Sequence, residues 1–134
     1  MGSENRIRLI VNADDFGISH SANRAILRAH REGILTTTSL MVNGNAVDDA
    51  VRKGHEHPSL GIGLHLTLVK GKSTLKPSEI PGVVNARFEF DESPVRAGMR
   101  YFFLRSLRAG IRQEINAQFA AFRMTRLPMD HVNG

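Results

Sequence analysis

Apolar and polar positions along the chain change period several times, and each change marks an element. "IRLIVNA", residues 7–13, is a short β-branched run of the kind that forms a buried strand, with Leu9, Ile10 and Val11 expected in the core. "SHSANRAILRAHREG" follows with Ala22, Ile26, Leu27 and His30 at helical spacing and Gly33 as a stop. "ILTTTSLMV" reads as a second strand. "NGNAVDDAVRKGHEHP" is a helix that buries Ala46, Val47, Ala50 and Val51 and ends by Pro58. In "LGIGLHLTLV" the period becomes two: Leu60, Ile62, Leu64, Leu66 and Leu68 lie on one face, and Gly61, Gly63, His65 and Thr67 on the other.

This strand and helix alternation predicts an α/β fold with a mainly parallel sheet. After Val69 the rhythm breaks into a long loop, residues 70–93, ending in a short "RFEF" strand. Two helical stretches follow; in the second, Ile111, Ile115, Phe119 and Phe122 repeat at three to four residues. "LPMDHVNG" opens a fourth main strand and the sequence stops. A closed eight-stranded (β/α) barrel takes about 250 residues, so the expectation is a partial (β/α) barrel, truncated after about the fourth main strand. Residues 1–134 then form a single domain, the N-terminal part of a barrel. Its open sheet edge is expected to be covered by another copy, making a homo-oligomer, or by further chain.

Composition narrows the chemistry. The 134 residues are 41% hydrophobic and 23% charged, a globular balance. There is no cysteine, which excludes disulfides, thiolate metal sites and thiol nucleophiles together. No apolar run approaches the roughly 18 residues of a membrane helix, and the polar start "MGSENR" lacks the apolar core of a signal peptide; the expected location is cytoplasmic. The net charge of +5 is uneven: Arg96, Arg100, Arg105, Arg108 and Arg112 fall in one acid-free stretch with Phe102 and Phe103. No nucleic-acid motif accompanies it, so no nucleic acid is expected as partner. The favoured reading is an amphipathic helix with Phe102, Phe103 and Leu107 packed beneath a solvated arginine face, and peripheral membrane contact is the open alternative.

One pair of residues resists a purely structural account. Asp14 and Asp15 stand side by side after an apolar run, where neighbouring carboxylates repel and resist desolvation. Either they belong to a polar turn with a helix cap behind it, or they sit at a metal ion. Metal sites in α/β proteins draw ligands from the carboxyl ends of several strands. Asp14 and Asp15 close the first strand, His65 faces away from the leucine row of the third, and Met129, His131 and Asn133 share a face of the last. Other candidates are weaker. "KGKST" lacks the first glycine of a phosphate loop, no serine stands in a nucleophile elbow, His55 and His57 diverge at a helix end, and Asp48 and Asp49 are expected to be solvated.

"LIVNADDFGIS", "GILTTTSLMVNG", "LGIGLHLTL" and "DHVNG" resemble, in order and spacing, the YdjC-like carbohydrate deacetylases, and in particular the branch associated with hopanoid biosynthesis. The resemblance covers nearly the whole chain, and family members run to about twice this length, in agreement with the barrel estimate. It implies an irregular (β/α) barrel that removes acetyl groups from N-acetylated sugars with a divalent metal, magnesium or zinc, here on an N-acetylated sugar or glycolipid substrate such as a glycosylated hopanoid. It further implies Asp14 as general base and Asp15 and His65 as metal ligands; His131 is the candidate in this chain for assisting protonation of the leaving amine, with a family histidine in the missing half as the alternative. His131, Val132, Asn133 and Gly134 match the start of the family motif H-x-D-S-H-x-H with Asn-Gly in place of Asp-Ser, so the third ligand is expected just beyond Gly134. The 134-residue chain alone is accordingly expected to be inactive. Two rivals are a metallo-hydrolase of another amide or ester, which would keep the site, and a truncated, non-catalytic binding module.

Overall fold

The computed structural model describes residues 7–134; "MGSENR", on which the signal-peptide reading rested, lies outside the described residues. The elements run β1 (Asn12–Phe16), α1 (His20–Glu32), β2 (Thr37–Leu40), α2 (Val47–Glu56), β3 (Gly61–His65), α3 (Pro94–Phe103), α4 (Arg108–Met124) and β4 (Met129–Asn133), with a single 3-10 turn, Arg105–Leu107, between α3 and α4. The four strands pair in sequence order, all parallel. This is the expected mixed α/β architecture, an arc of parallel strands with helical crossovers as in part of a (β/α) barrel.

Local sequence explains the elements. Ser19 caps α1, its hydroxyl accepting from the Ala22 amide at 3.1 Å, and the helix stops at Gly33. Asp48 and Asp49 in the first turn of α2 suit the positive end of its dipole. The leucine row of β3 faces the helices: Leu60, Ile62 and Leu64 join Phe16, Leu40 and Phe122 in the main core. On the opposite face of β3 the glycines leave room, since a Cβ added at Gly63 would lie 2.6 Å from the His131 ring.

Three expectations are corrected. The first strand lies on "NADDF" rather than "IRLIVNA", and Leu9 and Ile10 are exposed: β1 is an edge of the sheet, and no described element covers residues 7–10. "RFEF" makes one antiparallel bridge, Lys72 with Glu89, instead of a strand, because Phe90 is drawn into a second small core with Ile80, Val83 and Leu107. Phe102 and Phe103 are not packed beneath the arginine helix; both are exposed, while Ala97 and Leu107 supply the buried contacts.

The loop that follows β3 is anchored by two polar residues of α4 that the helical apolar repeat did not single out. Buried Glu114 accepts from the Thr74 and Leu75 amides at 2.7 and 2.9 Å and from Gln118 at 2.8 Å. Gln118, also buried, accepts from the Thr67 amide and donates to the Thr67 carbonyl. Backbone that has left the sheet is satisfied by these side chains instead. Among the described residues no helix is long and apolar enough to cross a membrane.

Candidate active site

In a regular strand, neighbouring side chains point to opposite faces, so Asp14 and Asp15 could not share a site. A bulge resolves this. Ala13 pairs with Thr38 and Phe16 with Leu40, so three steps on β1 oppose two on β2. Within the bulge Asp15 adopts φ +64, left-handed backbone that costs a non-glycine residue about 1–3 kcal/mol. The turn after it is held from several sides. The Gly17 amide donates to buried Asn23 Oδ1 at 2.7 Å, the Ile18 amide to the Asp15 carbonyl, and the Met41 amide to the Phe16 carbonyl.

Both carboxylates consequently meet His65, the last residue of β3. His65 Nε2 lies 3.4 Å from Asp15 Oδ1, and His65 Nδ1 lies 4.0 Å from Asp14 Oδ1. Asp14 Oδ1 accepts three hydrogen bonds, each 2.8 Å, from Asn12 Nδ2, Ser39 Oγ and Asn133 Nδ2. These hold the Asp14 carboxyl below the ordinary carboxylate range. The Ser39 hydroxyl has the largest effect, burial opposes it, and Asn133, the nearby His65 and Asn12 add to the lowering.

Asn133 orients His65. Ionised Asp14 can only accept, so Asn133 must turn its NH₂ toward Asp14 and its carbonyl oxygen toward His65 Nδ1, 3.1 Å away. The proton of a neutral ring then sits on Nδ1, and the Nε2 lone pair faces the Asp15 carboxylate. Two electron-rich atoms so apposed are satisfied by a positive charge between them, either the ring's own second proton or a metal ion. Atoms each about 2.1 Å from a common divalent ion lie roughly 3.0–3.4 Å apart, and a ligating histidine that donates its other N–H to an oxygen is the usual arrangement. Asp15 and His65 fit a metal on both counts. Among the described residues no set of three His, Cys, Asp or Glu side chains is placed to hold one. A cleft of about 1400 Å³, lined among others by Asp15, His65, Asn133, Met41, Arg100 and Tyr101, opens at the carboxyl ends of the strands.

The family described as YdjC-like protein matches residues 8–134. The chain belongs to this family. A carbohydrate deacetylase of Brevibacillus brevis is 35% identical over 127 residues, which are 95% of this chain and 48% of that protein. A chitooligosaccharide deacetylase of Salmonella paratyphi B is 48% identical over 75 residues, 56% of this chain and 29% of that one. In structure the chain is similar to a protein of Enterococcus faecalis V583 named for cellobiose-phosphate cleavage, with a TM-score of 0.79 and 26% identity over 92% of this chain and 46% of the other. The chain thus spans about half the length of the Brevibacillus relative.

Of the residues singled out in this YdjC-like chain, the structure brings Asp14, Asp15, His65 and Asn133 together. His131 lies on the same strand as Asn133 but packs over Gly63; its Nδ1 is 3.0 Å from Asp130 Oδ2, and its buried Nε2 has no partner among the described residues. No hydrogen bond or ion pair joins it to Asp14, Asp15 or His65 among the described residues. Asp48 is exposed as expected, but Asp49 is not free in solvent: it pairs with Lys53 at 2.6 Å and accepts from Asn23 at 2.9 Å, bonds that hold its carboxyl far below the usual range, the Lys53 contact most of all. It thereby steadies the Asn23 side chain that caps the Gly17 turn.

Asn12 and Ser39 had not been singled out. The signal for Asn12 was its period-two relation to Asp14, and for Ser39 a hydroxyl inside an otherwise apolar strand end. Replacing Ser39 by Ala removes the strongest donor to Asp14. The Asp14 pKa should rise toward the ordinary value, and the acid side of any activity profile should move to higher pH. The sign for stability is the same: a depressed carboxyl stabilises the fold above the unfolded-state pKa and loses that contribution as pH falls through the folded value, so Ser39→Ala should flatten this dependence. NMR titration of the Asp14 carboxyl checks it; an unmoved midpoint would contradict the assignment.

Proposed function

We propose that the whole protein is a metal-dependent hydrolase that removes an acetyl group from an N-acetylated sugar. The observation that carries this reading is the convergence of Asp14, Asp15 and His65, with His65 Nε2 3.4 Å from Asp15 Oδ1. Support comes from the deacetylase relatives, one a carbohydrate and one a chitooligosaccharide deacetylase. Asp15 and His65 would hold the ion. When bound, a divalent metal supplies Lewis acidity toward a carbonyl oxygen and a lowered pKa for water.

The remaining work falls to side chains of this chain. Three donors saturate Asp14 Oδ1, which leaves Oδ2 to take a proton from the attacking water as general base. The same donors keep Asp14 ionised and aimed. An assisting role for His131 in protonating the leaving amine is supported by the motif resemblance alone, since its Nε2 is buried over Gly63 and His131 does not line the cleft. The cleft exceeds the roughly 300–1,000 Å³ of common small-ligand sites and has room for more than one sugar ring. A glycosylated hopanoid as the specific substrate is supported by the motif resemblance given above.

The test is acetate release by the whole protein from N-acetylglucosamine oligomers, an N-acetylglucosaminyl lipid, simple acetamides and acetyl esters, before and after chelation. Acetate is expected from the N-acetyl sugars, with loss on chelation and recovery when magnesium or zinc is returned. Equal hydrolysis of simple esters, or activity indifferent to exhaustive chelation, would overturn the reading.

A further inference from the structure

The arginine-rich helix does not bury its large apolar side chains. Val95 is 72% exposed, Met99 53%, Phe102 70% and Phe103 72%. At i, i+4, i+7 and i+8 they form one continuous stripe along α3, with Leu104 extending it. The two phenylalanine rings sit edge to face, 5.0 Å apart. The other face of the helix is anchored: Ala97 is fully buried, and Tyr101 donates to the Leu68 carbonyl at 2.7 Å. The stripe is therefore presented by a fixed helix.

Its charge surroundings are one-sided. From Ser93 to Gln113 there are arginines at 96, 100, 105, 108 and 112 and no acid. Arg96 and Arg100 are engaged by Asp91. Among the described residues Arg105, Arg108 and Arg112 have no ion-pair partner, and Arg108 donates to the backbone carbonyl of Phe102 at 3.4 Å, at the end of the stripe.

We propose that α3 is a membrane-docking surface: Val95, Met99, Phe102 and Phe103 enter the boundary between headgroups and acyl chains of an anionic bilayer while Arg105, Arg108 and Arg112 meet lipid phosphates. Apolar stripes bordered by arginine are the pattern that lies in such an interface, and anionic lipid adds attraction for each cation near the surface. A second copy is a poorer occupant, because a two-fold contact through this face would set the same arginines against one another. Nucleic acid would engage the arginines but has no place for an apolar stripe two turns long. Pro94, Gly98 and Tyr101 of the same helix line the cleft, so docking here would set the cleft mouth close to the lipid surface. The inference stands apart from the deacetylase reading, since binding is measured without sugar or turnover.

The test is co-sedimentation of the whole protein with phosphatidylcholine vesicles, with and without about a third anionic phosphatidylserine. Binding is expected to the anionic vesicles and to weaken with salt. Phe102→Ser with Phe103→Ser should weaken it at least about tenfold, while Arg105→Gln with Arg108→Gln should remove the preference for anionic lipid. An unchanged thermal melt of the whole protein is expected for each variant; a melt lowered by the phenylalanine changes would place the stripe against the rest of the protein and overturn the proposal. Failure of the folded protein to bind any vesicle would overturn the proposal, as would undiminished binding by the phenylalanine variant. It would also fall if the phenylalanine changes abolished self-association instead, since the stripe would then belong to a second copy.

Discussion

Asp15→Ala and His65→Ala should lose bound metal and activity together, whereas Asp14→Asn should keep the metal and lose turnover by about 10²–10⁴-fold. The split follows from the geometry. Asp15 and His65 present facing donor atoms 3.4 Å apart, and removing either leaves too few ligands for a divalent ion. Asp14 instead has one oxygen saturated by Asn12, Ser39 and Asn133. An amide at position 14 fits the same space but cannot accept a proton from water. It would also present either a second NH₂ to these donors or an oxygen of weaker acceptor strength, so some loosening of Asn133 is expected as well. Metal analysis of the purified whole-length variants, beside acetate release, checks the assignment. Equal metal loss in all three would make Asp14 a ligand and move the base elsewhere.

The largest effect on stability is expected at Glu114, a residue with no part in the proposed chemistry. Glu114→Ala strands the part-buried Thr74 and Leu75 amides and one N–H of the fully buried Gln118, and leaves a hole where the buried carboxyl stood. Leaving these groups unpaired should cost about 2–4 kcal/mol, enough to lower the melting temperature by roughly 10 °C in a domain of this size. Loosening should concentrate in residues 66–76, which leave β3 directly after His65 and line the cleft through residues 66–72, so protease cleavage there should precede global unfolding. Glu114→Gln retains an acceptor for one of the amides and should fall between. A melt unchanged by Glu114→Ala would show that the loop is held by its small apolar core alone, through Ile80, Val83, Phe90 and Leu107.

Much of the frame was legible because local patterns report local structure. The helical repeat in residues 20–32 and the cap at Ser19 are written into consecutive residues, as is the alternation that puts Leu60, Ile62 and Leu64 on one face and His65 on the other. Asp14, Asp15 and His65 were readable as a group because polar side chains at strand ends in a parallel sheet converge once the strands pair in order, but the reading put His131 with them where the structure puts Asn133. Apolar character alone could not tell burial from exposure. Leu9, Ile10, Phe102 and Phe103 are as hydrophobic as the core, yet no described element packs over them.

What only the tertiary structure decided depends on contacts between residues far apart in sequence. The bulge that turns Asp14 and Asp15 to one side exists because β1 and β2 pair out of step by one residue, a relation no single strand encodes. The direction of the Asn133 amide, and through it the tautomer of His65, follows from an acceptor 119 positions away. Glu114 and Gln118 look like ordinary polar helix residues until the backbone of 67–75 is laid against them. Periodicity fixes which way a side chain leaves its own strand or helix, but hydrogen-bond partners and burial are properties of the neighbour, and the neighbour is supplied by the fold.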